Sequence, residues 1–215
     1  MTIITGRAEM LRIEHGRKLY KGNLVLDDIN LTFKEGNIYG LVGINGSGKT
    51  LILKALAGYI KLDEGAVYQD DKKIRQYHNY IEDAGVLIEN PEFIAHLTLL
   101  QNLELLRSIS PKARDIDLAF WLDVYHLHQF SQTAFKHLSL GTKKKLGLIQ
   151  ALMHHPKILI LDEPMNALDD RSVEQTKKLL LDVSKNGLVI LSSHLKTDIE
   201  DLCDEVIHVA EGKIV

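Results

Sequence analysis

Eight consecutive residues, Gly43-Ile44-Asn45-Gly46-Ser47-Gly48-Lys49-Thr50, have the types and spacing needed to hold phosphate. A glycine, four open positions and then Gly-Lys-Thr is the pattern of a loop that closes around phosphate oxygens, provided that a strand precedes it and a helix follows. Successive backbone N–H groups then point into the loop, and the helix N-terminus adds a favourable partial charge. Lys49 reaches the outer phosphates of a nucleoside triphosphate, and the Thr50 hydroxyl offers a hard oxygen to magnesium. Gly43, Asn45, Gly46, Ser47 and Gly48 form the remainder of this cradle.

A second cluster supplies acids. Ile158-Leu159-Ile160-Leu161-Asp162-Glu163 is an apolar run ending in two carboxylates, which reads as a buried strand delivering acids to its carboxyl end, where α/β sheets bind ligands. Asp162 is placed to hold magnesium through water, and Glu163 to orient and polarise an attacking water molecule. Ser192-Ser193-His194 follows another buried-type run, so His194 is expected at the same sheet edge within reach of a terminal phosphate. The chemistry is phosphoryl transfer to water, with Lys49, Glu163 and His194 as candidate catalytic groups.

The elements that must position these groups are legible in outline. Met10 to Tyr20, Asp28 to Phe33 and Asn37 to Val42 read as strands, separated by Lys21-Gly22 and Glu35-Gly36. Thr50 to Tyr59 has the length and apolar content of a buried helix, and Gly65 to Ile74 reads as a short strand pair. Thr98 with Gln101 forms a capping-box pattern ahead of one helix, and Ile116 to Leu127 has a second helical pattern. Residues 90–150 therefore read as an inserted helical lobe. Beyond Pro156 the buried runs Lys157 to Leu161 and Leu188 to Ser192 flank a helix over Ser172 to Ser184, the signature of a mostly parallel sheet with crossover helices. Glu205 to Val215 closes as a hairpin around Glu211-Gly212.

Composition narrows the class. The 215 residues are 45% hydrophobic and 26% charged, which suits one globular unit with a full core. A formal charge of −3 lacks the broad basic field that nucleic-acid binders use, so no nucleic-acid partner is expected and anion binding must be local. Cys203 is the single cysteine and is expected to pack as a small hydrophobe, which together with the lack of a signal pattern suggests a reducing, cytoplasmic compartment. No apolar run approaches the roughly 20 residues of a bilayer-spanning helix.

Several phosphate-loop ATPase families would satisfy these features; Leu138-Ser139-Leu140-Gly141-Thr142 selects among them. With the phosphate loop, the strand-end acids, Asn166-Ala167-Leu168-Asp169 and His194, the order of motifs resembles the ABC ATPase family across essentially the whole chain. The resemblance implies an α/β fold with a P-loop NTPase core, an N-terminal antiparallel portion and the helical lobe, in a single domain with its core over residues 1–89 and 151–215. It implies ATP and Mg2+ as cofactors, and a head-to-tail pair of domains, identical or not, in which Ser139 and Gly141 cap the γ-phosphate bound by the opposite subunit. A membrane-spanning subunit is the expected partner, placing the chain peripherally on the inner face of the membrane. A soluble ABC assembly factor is the rival reading.

The residues themselves support the capping role: Ser139 is an N-cap candidate, and helix N-termini attract anions. Lys143, Lys144 and Lys145 would then stand in the first turn, where cations need a nearby anion; a partner's phosphate is one source, and simple solvation is the bland alternative. Tyr20, 29 residues before Lys49, matches the family's adenine-stacking aromatic, with core packing as its rival, and Asp169 matches a loop acid that crosses the dimer interface. Two departures stand out. Glu89 occupies the family's usual glutamine position, which implies a magnesium contact with added negative charge. Leu140 and Thr142 replace a glycine and a glutamine. Glu89 and the Ser-Leu-Gly spelling resemble the bacitracin and lantibiotic export subgroup.

Overall fold

The computed structural model describes residues 8–76, 78–194, 199 and 201–215. Strands β1 (Glu9–Tyr20) and β2 (Asn23–Lys34) form a hairpin whose turn, Lys21-Gly22, has φ values of 50° and 83°. Both turn residues are left-handed, the condition under which a two-residue turn matches strand twist. Strand β3 (Asn37–Val42) leaves this layer, and the chain returns through β4 (Glu64–Gln69) and β5 (Lys72–Lys73) to give an antiparallel sheet of order β2-β1-β4-β5.

The second sheet has the order β10-β9-β3-β8-β7-β6, built from β3, β6 (Ala84–Leu87), β7 (Ile158–Leu161), β8 (Leu188–Ser193), β9 (Glu205–Ala210) and β10 (Lys213–Ile214). All its pairings are parallel except the closing hairpin β9–β10. Every residue of β7 and β8 is buried. That is why these strands read as continuous apolar runs rather than alternating ones.

The two faces still sort by parity. Ile158, Ile160, Leu188 and Ile190 join one core with Leu11, Leu26 and Phe33 of the antiparallel sheet and Ile52, Leu53 and Leu56 of α1 (Lys49–Leu56), which is thus sandwiched between the sheets. Leu159, Leu161, Val189 and Leu191 join the opposite core, with the helices that follow. Register then fixes the site: Val42 pairs with Ser193, and Leu161 with Leu191. The chain therefore leaves β3, β7 and β8 along one edge.

Helix α2 (Leu99–Ile109) begins with the expected capping box, in which Gln101 N–H donates to Thr98 Oγ1 at 3.2 Å and Thr98 N–H to Gln101 Oε1 at 2.9 Å. Helix α3 (Leu118–Val124) is shorter than its apolar pattern; Asp117 caps it, and His126 at φ 53° breaks it. Helix α1 likewise stops before Tyr59, at a left-handed Gly58 whose added Cβ would lie 2.2 Å from the Asn79 carbonyl. Helix α4 (Leu140–Leu152) runs across the position where the sequence suggested that the lobe ends. The reason is packing: Gly147 sits on Leu87 and Pro91, and Gly85 meets the Ala151 carbonyl, so the far half of α4 lies on the parallel sheet. Helix α5 (Asp170–Ser184) starts two residues earlier than predicted and is capped by Asp169.

Candidate nucleotide site

The phosphate loop joins β3 to α1 as the motif requires. Gly48, at φ 114°, is the N-cap of α1 and offers no side chain, so the first N–H groups of the helix have no side-chain cap. Lys49 is only 5% exposed and folds back over its own loop, its Nζ donating to the carbonyls of Gly43 at 2.6 Å and Ile44 at 3.1 Å. Ser47 Oγ is buried without a hydrogen-bond partner among the described residues. A Cβ on Gly43 would lie 2.2 Å from the Val209 carbonyl and 2.6 Å from Ser47 Oγ, which leaves no room for a side chain. An uncapped helix N-terminus and an orphan hydroxyl are donors lacking an acceptor, and with the Lys49 ammonium held beside them on its own loop they fit a polyphosphate.

The acids close the other side. Thr50 Oγ1 donates to Asp162 Oδ2 at 2.9 Å, and Ser192 Oγ to Asp162 Oδ1 at 2.5 Å. The same Ser192 oxygen accepts the Glu163 N–H at 3.0 Å. Glu163 has φ 47°, a left-handed conformation that a non-glycine residue adopts at a cost. Its Oε2 meets His194 Nδ1 at 2.9 Å and the His194 N–H at 3.3 Å. The sequence thus brings Thr50, Asp162, Glu163 and His194 together. A hydroxyl beside a carboxylate is a hard-oxygen pair of the kind magnesium takes along with phosphate oxygens and waters, so Thr50 and Asp162 are the residues suited to hold that ion. When bound, it would neutralise phosphate charge.

Ser192 had no assigned role in the sequence reading, yet it fixes both acids. Its only signal was a hydroxyl at the end of an otherwise apolar strand. Ser192→Ala would free one oxygen of Asp162 and leave the Glu163 N–H unpaired, which costs about 1–3 kcal/mol in stability. We expect a fall of about ten-fold in kcat with little change in KM, measured by phosphate release, since roughly 1.4 kcal/mol of lost positioning is ten-fold in rate.

The start of α4 is bound to the loop following the acids. Ser139 caps α4, its Oγ accepting from Thr142 N–H at 3.2 Å. Gly141 packs so closely that an added Cβ would lie 2.6 Å from the Ala167 carbonyl. Lys144 and Lys145 depart from both sequence readings, because their partners, a carbonyl and a carboxylate, come from this chain. Lys144, 7% exposed, donates to the Asp162 carbonyl at 3.0 Å; burial lowers its pKa while Asp162 and Glu163 oppose that shift. Lys145 Nζ meets Asp169 Oδ2 at 2.6 Å, and Lys143 stands 5.0 Å from the centroid of the Phe135 ring. Asp169 is held well below the usual carboxylate range by Lys145 first, and then by the Ser172 N–H.

Two sequence candidates stand apart from this cluster. Tyr20 lies at the tip of the β1–β2 hairpin, 64% exposed and with Lys21 Nζ 5.7 Å from its ring centroid, so core packing is excluded. Glu89 has φ 63° and accepts a hydrogen bond from Lys54 Nζ at 2.6 Å; its described bond is to that lysine, and not to Thr50 or Asp162.

A phosphate loop between β3 and α1, an acid pair at the end of β7 and a histidine after β8 define a P-loop ATPase. Within that class the chain belongs to the ABC transporter family of ATP-binding proteins, whose model matches residues 26–166, and it is an ATPase of that family. It is 35% identical over 206 residues to the uncharacterized ABC transporter ATP-binding protein YybJ of Bacillus subtilis, covering 95% of this chain and 94% of that one. It is 34% identical to the bacitracin transport ATP-binding protein BcrA of Enterococcus faecalis, covering 96% of this chain and 68% of that one. Among solved structures it is similar to the dimeric post-hydrolysis state of the ATP-binding cassette MJ0796 bound to ADP and Pi, at 25% identity and a TM-score of 0.80, with 95% and 96% of the two chains covered.

Proposed function

We propose that this chain is the ATP-hydrolysing subunit of a membrane transporter, working as a head-to-tail pair around two MgATP. Asp162, Glu163 and His194 act on the nucleotide held by the same chain's phosphate loop. Ser139 and Gly141 cap the γ-phosphate held by the other subunit, and Tyr20 stacks on adenine. The observation that carries this reading is the placement of α4. Its N-terminus is exposed, with Leu140 58% exposed, while Gly141, Lys144 and Lys145 bind the loop behind the chain's own acids. A helix N-terminus presented outward attracts an anion supplied from outside.

A membrane subunit is supported by a groove of about 650 Å³ at the C-terminal ends of α1 and α4, whose walls include Tyr59, Tyr80, Val86, Leu106 and His154. No helix among the described residues is long and apolar enough to cross a membrane, so the pathway would belong to that other subunit. The similarity to a bacitracin transport protein and the Glu89 and Ser-Leu-Gly spellings favour peptide-antibiotic export or immunity, with the chain on the cytoplasmic face of the membrane.

The test is to tag the chain in its own cell, solubilise membranes gently and identify what is captured. A polytopic membrane protein in stoichiometric amount is the expected result. Recovery only from the soluble fraction with soluble partners would overturn the transporter reading and favour an assembly factor.

A further inference from the structure

Glu89 lies two residues beyond the end of β6, and its carboxylate meets Lys54 at 2.6 Å. Lys54 is on α1, four residues after Thr50, so the two side chains share one helix face about one turn apart. Thr50 donates to Asp162, and the Asp162 N–H donates at 2.7 Å to Leu87, the last residue of β6. The segment carrying Glu89 is thus tied through Leu87 to the strand end that bears Asp162, while the Glu89 charge is engaged at Lys54, one turn beyond Thr50 on α1. The backbone at Glu89 is left-handed, a conformation that side-chain contacts must offset. An amide in this position could not form an ion pair with Lys54, so the pair is a consequence of glutamate at position 89.

We infer that Lys54 is a positioning residue that parks Glu89 away from the cation, so that Glu89 alternates between the Lys54 ammonium and the divalent ion held at Thr50 and Asp162. Each divalent ion that engages Glu89 must first displace Lys54, and the lysine therefore weakens apparent cation affinity.

The inference rests on Thr50 and Asp162 as the residues holding the cation, and the test separates the two. Mn2+ is titrated into protein saturated with a non-hydrolysable ATP analogue, and the free ion is read by electron paramagnetic resonance. Lys54→Met is expected to tighten Mn2+ binding about three-fold, the effect that an exposed ion pair supports. Lys54→Arg keeps the wild-type value. In a Glu89→Gln background Lys54→Met has no effect, because the partner charge is gone. If Lys54→Met changes nothing, or acts equally with and without Glu89, the inference is overturned even where Asp162→Asn abolishes Mn2+ binding. If Asp162→Asn leaves Mn2+ binding intact, the cation-site reading falls, and the inference with it.

Discussion

Replacing Glu163 by glutamine is expected to leave ATP affinity within about two-fold of the wild type and to lower steady-state turnover by a hundred-fold or more. The substitution preserves shape: a glutamine oxygen can still accept from His194, whose Nδ1 and N–H both meet Oε2 of Glu163. What disappears is the carboxylate to which the proposed mechanism gives the polarising of water. General-base assistance contributes about 10²- to 10⁴-fold, or roughly 3–5 kcal/mol of barrier. Binding, in contrast, depends on the phosphate loop and α1, which Glu163 does not touch among its described bonds. Calorimetry with ATP and a phosphate-release assay on the same preparation measure the two quantities separately. Wild-type phosphate release in this variant would remove Glu163 from its role.

The sequence revealed most about this site where chemistry depends on the order of neighbouring residues. The phosphate loop is contiguous, and the acid pair ends a run so apolar that only a buried strand accommodates it; both landed where the pattern placed them. His194 was reachable because β8 ends beside β7 and β3. Contacts set by register between distant segments were not legible. Ser192 bridges the acids because Leu161 pairs with Leu191, and nothing local marks that hydroxyl as different from Ser193. Lys144 and Lys145 read as first-turn charges either facing an outside anion or solvated, whereas the helix lies against the 162–169 loop, which supplies a carbonyl and a carboxylate. The extent of α4 was obscured for a related reason. Its far half is apolar because it packs on the sheet, and a helix crossing from a lobe onto the core carries no mark in sequence at the crossing point.

Replacing Lys49 by methionine should separate from the Glu163 variant by losing affinity as well as turnover. The Lys49 ammonium lies over the loop, bound to the Gly43 and Ile44 carbonyls. A cation placed this way needs little reordering to meet phosphate, so most of its interaction energy with the ligand appears as affinity. Two charge-assisted bonds lost together amount to about 3 kcal/mol, which corresponds to about a hundred-fold weaker ATP binding in calorimetry. Methionine keeps an unbranched stem in the buried position, and the two carbonyls lose a donor without becoming buried charges. The thermal midpoint without nucleotide is therefore expected to shift by only a few degrees, and the stabilisation that ATP gives the wild type should vanish, since ligand stabilisation follows affinity. ATP binding within three-fold of the wild type would mean that the loop backbone and the α1 N-terminus hold the phosphates without Lys49, and the cradle would then have to be rebuilt around the orphan Ser47 hydroxyl and the uncapped N–H groups.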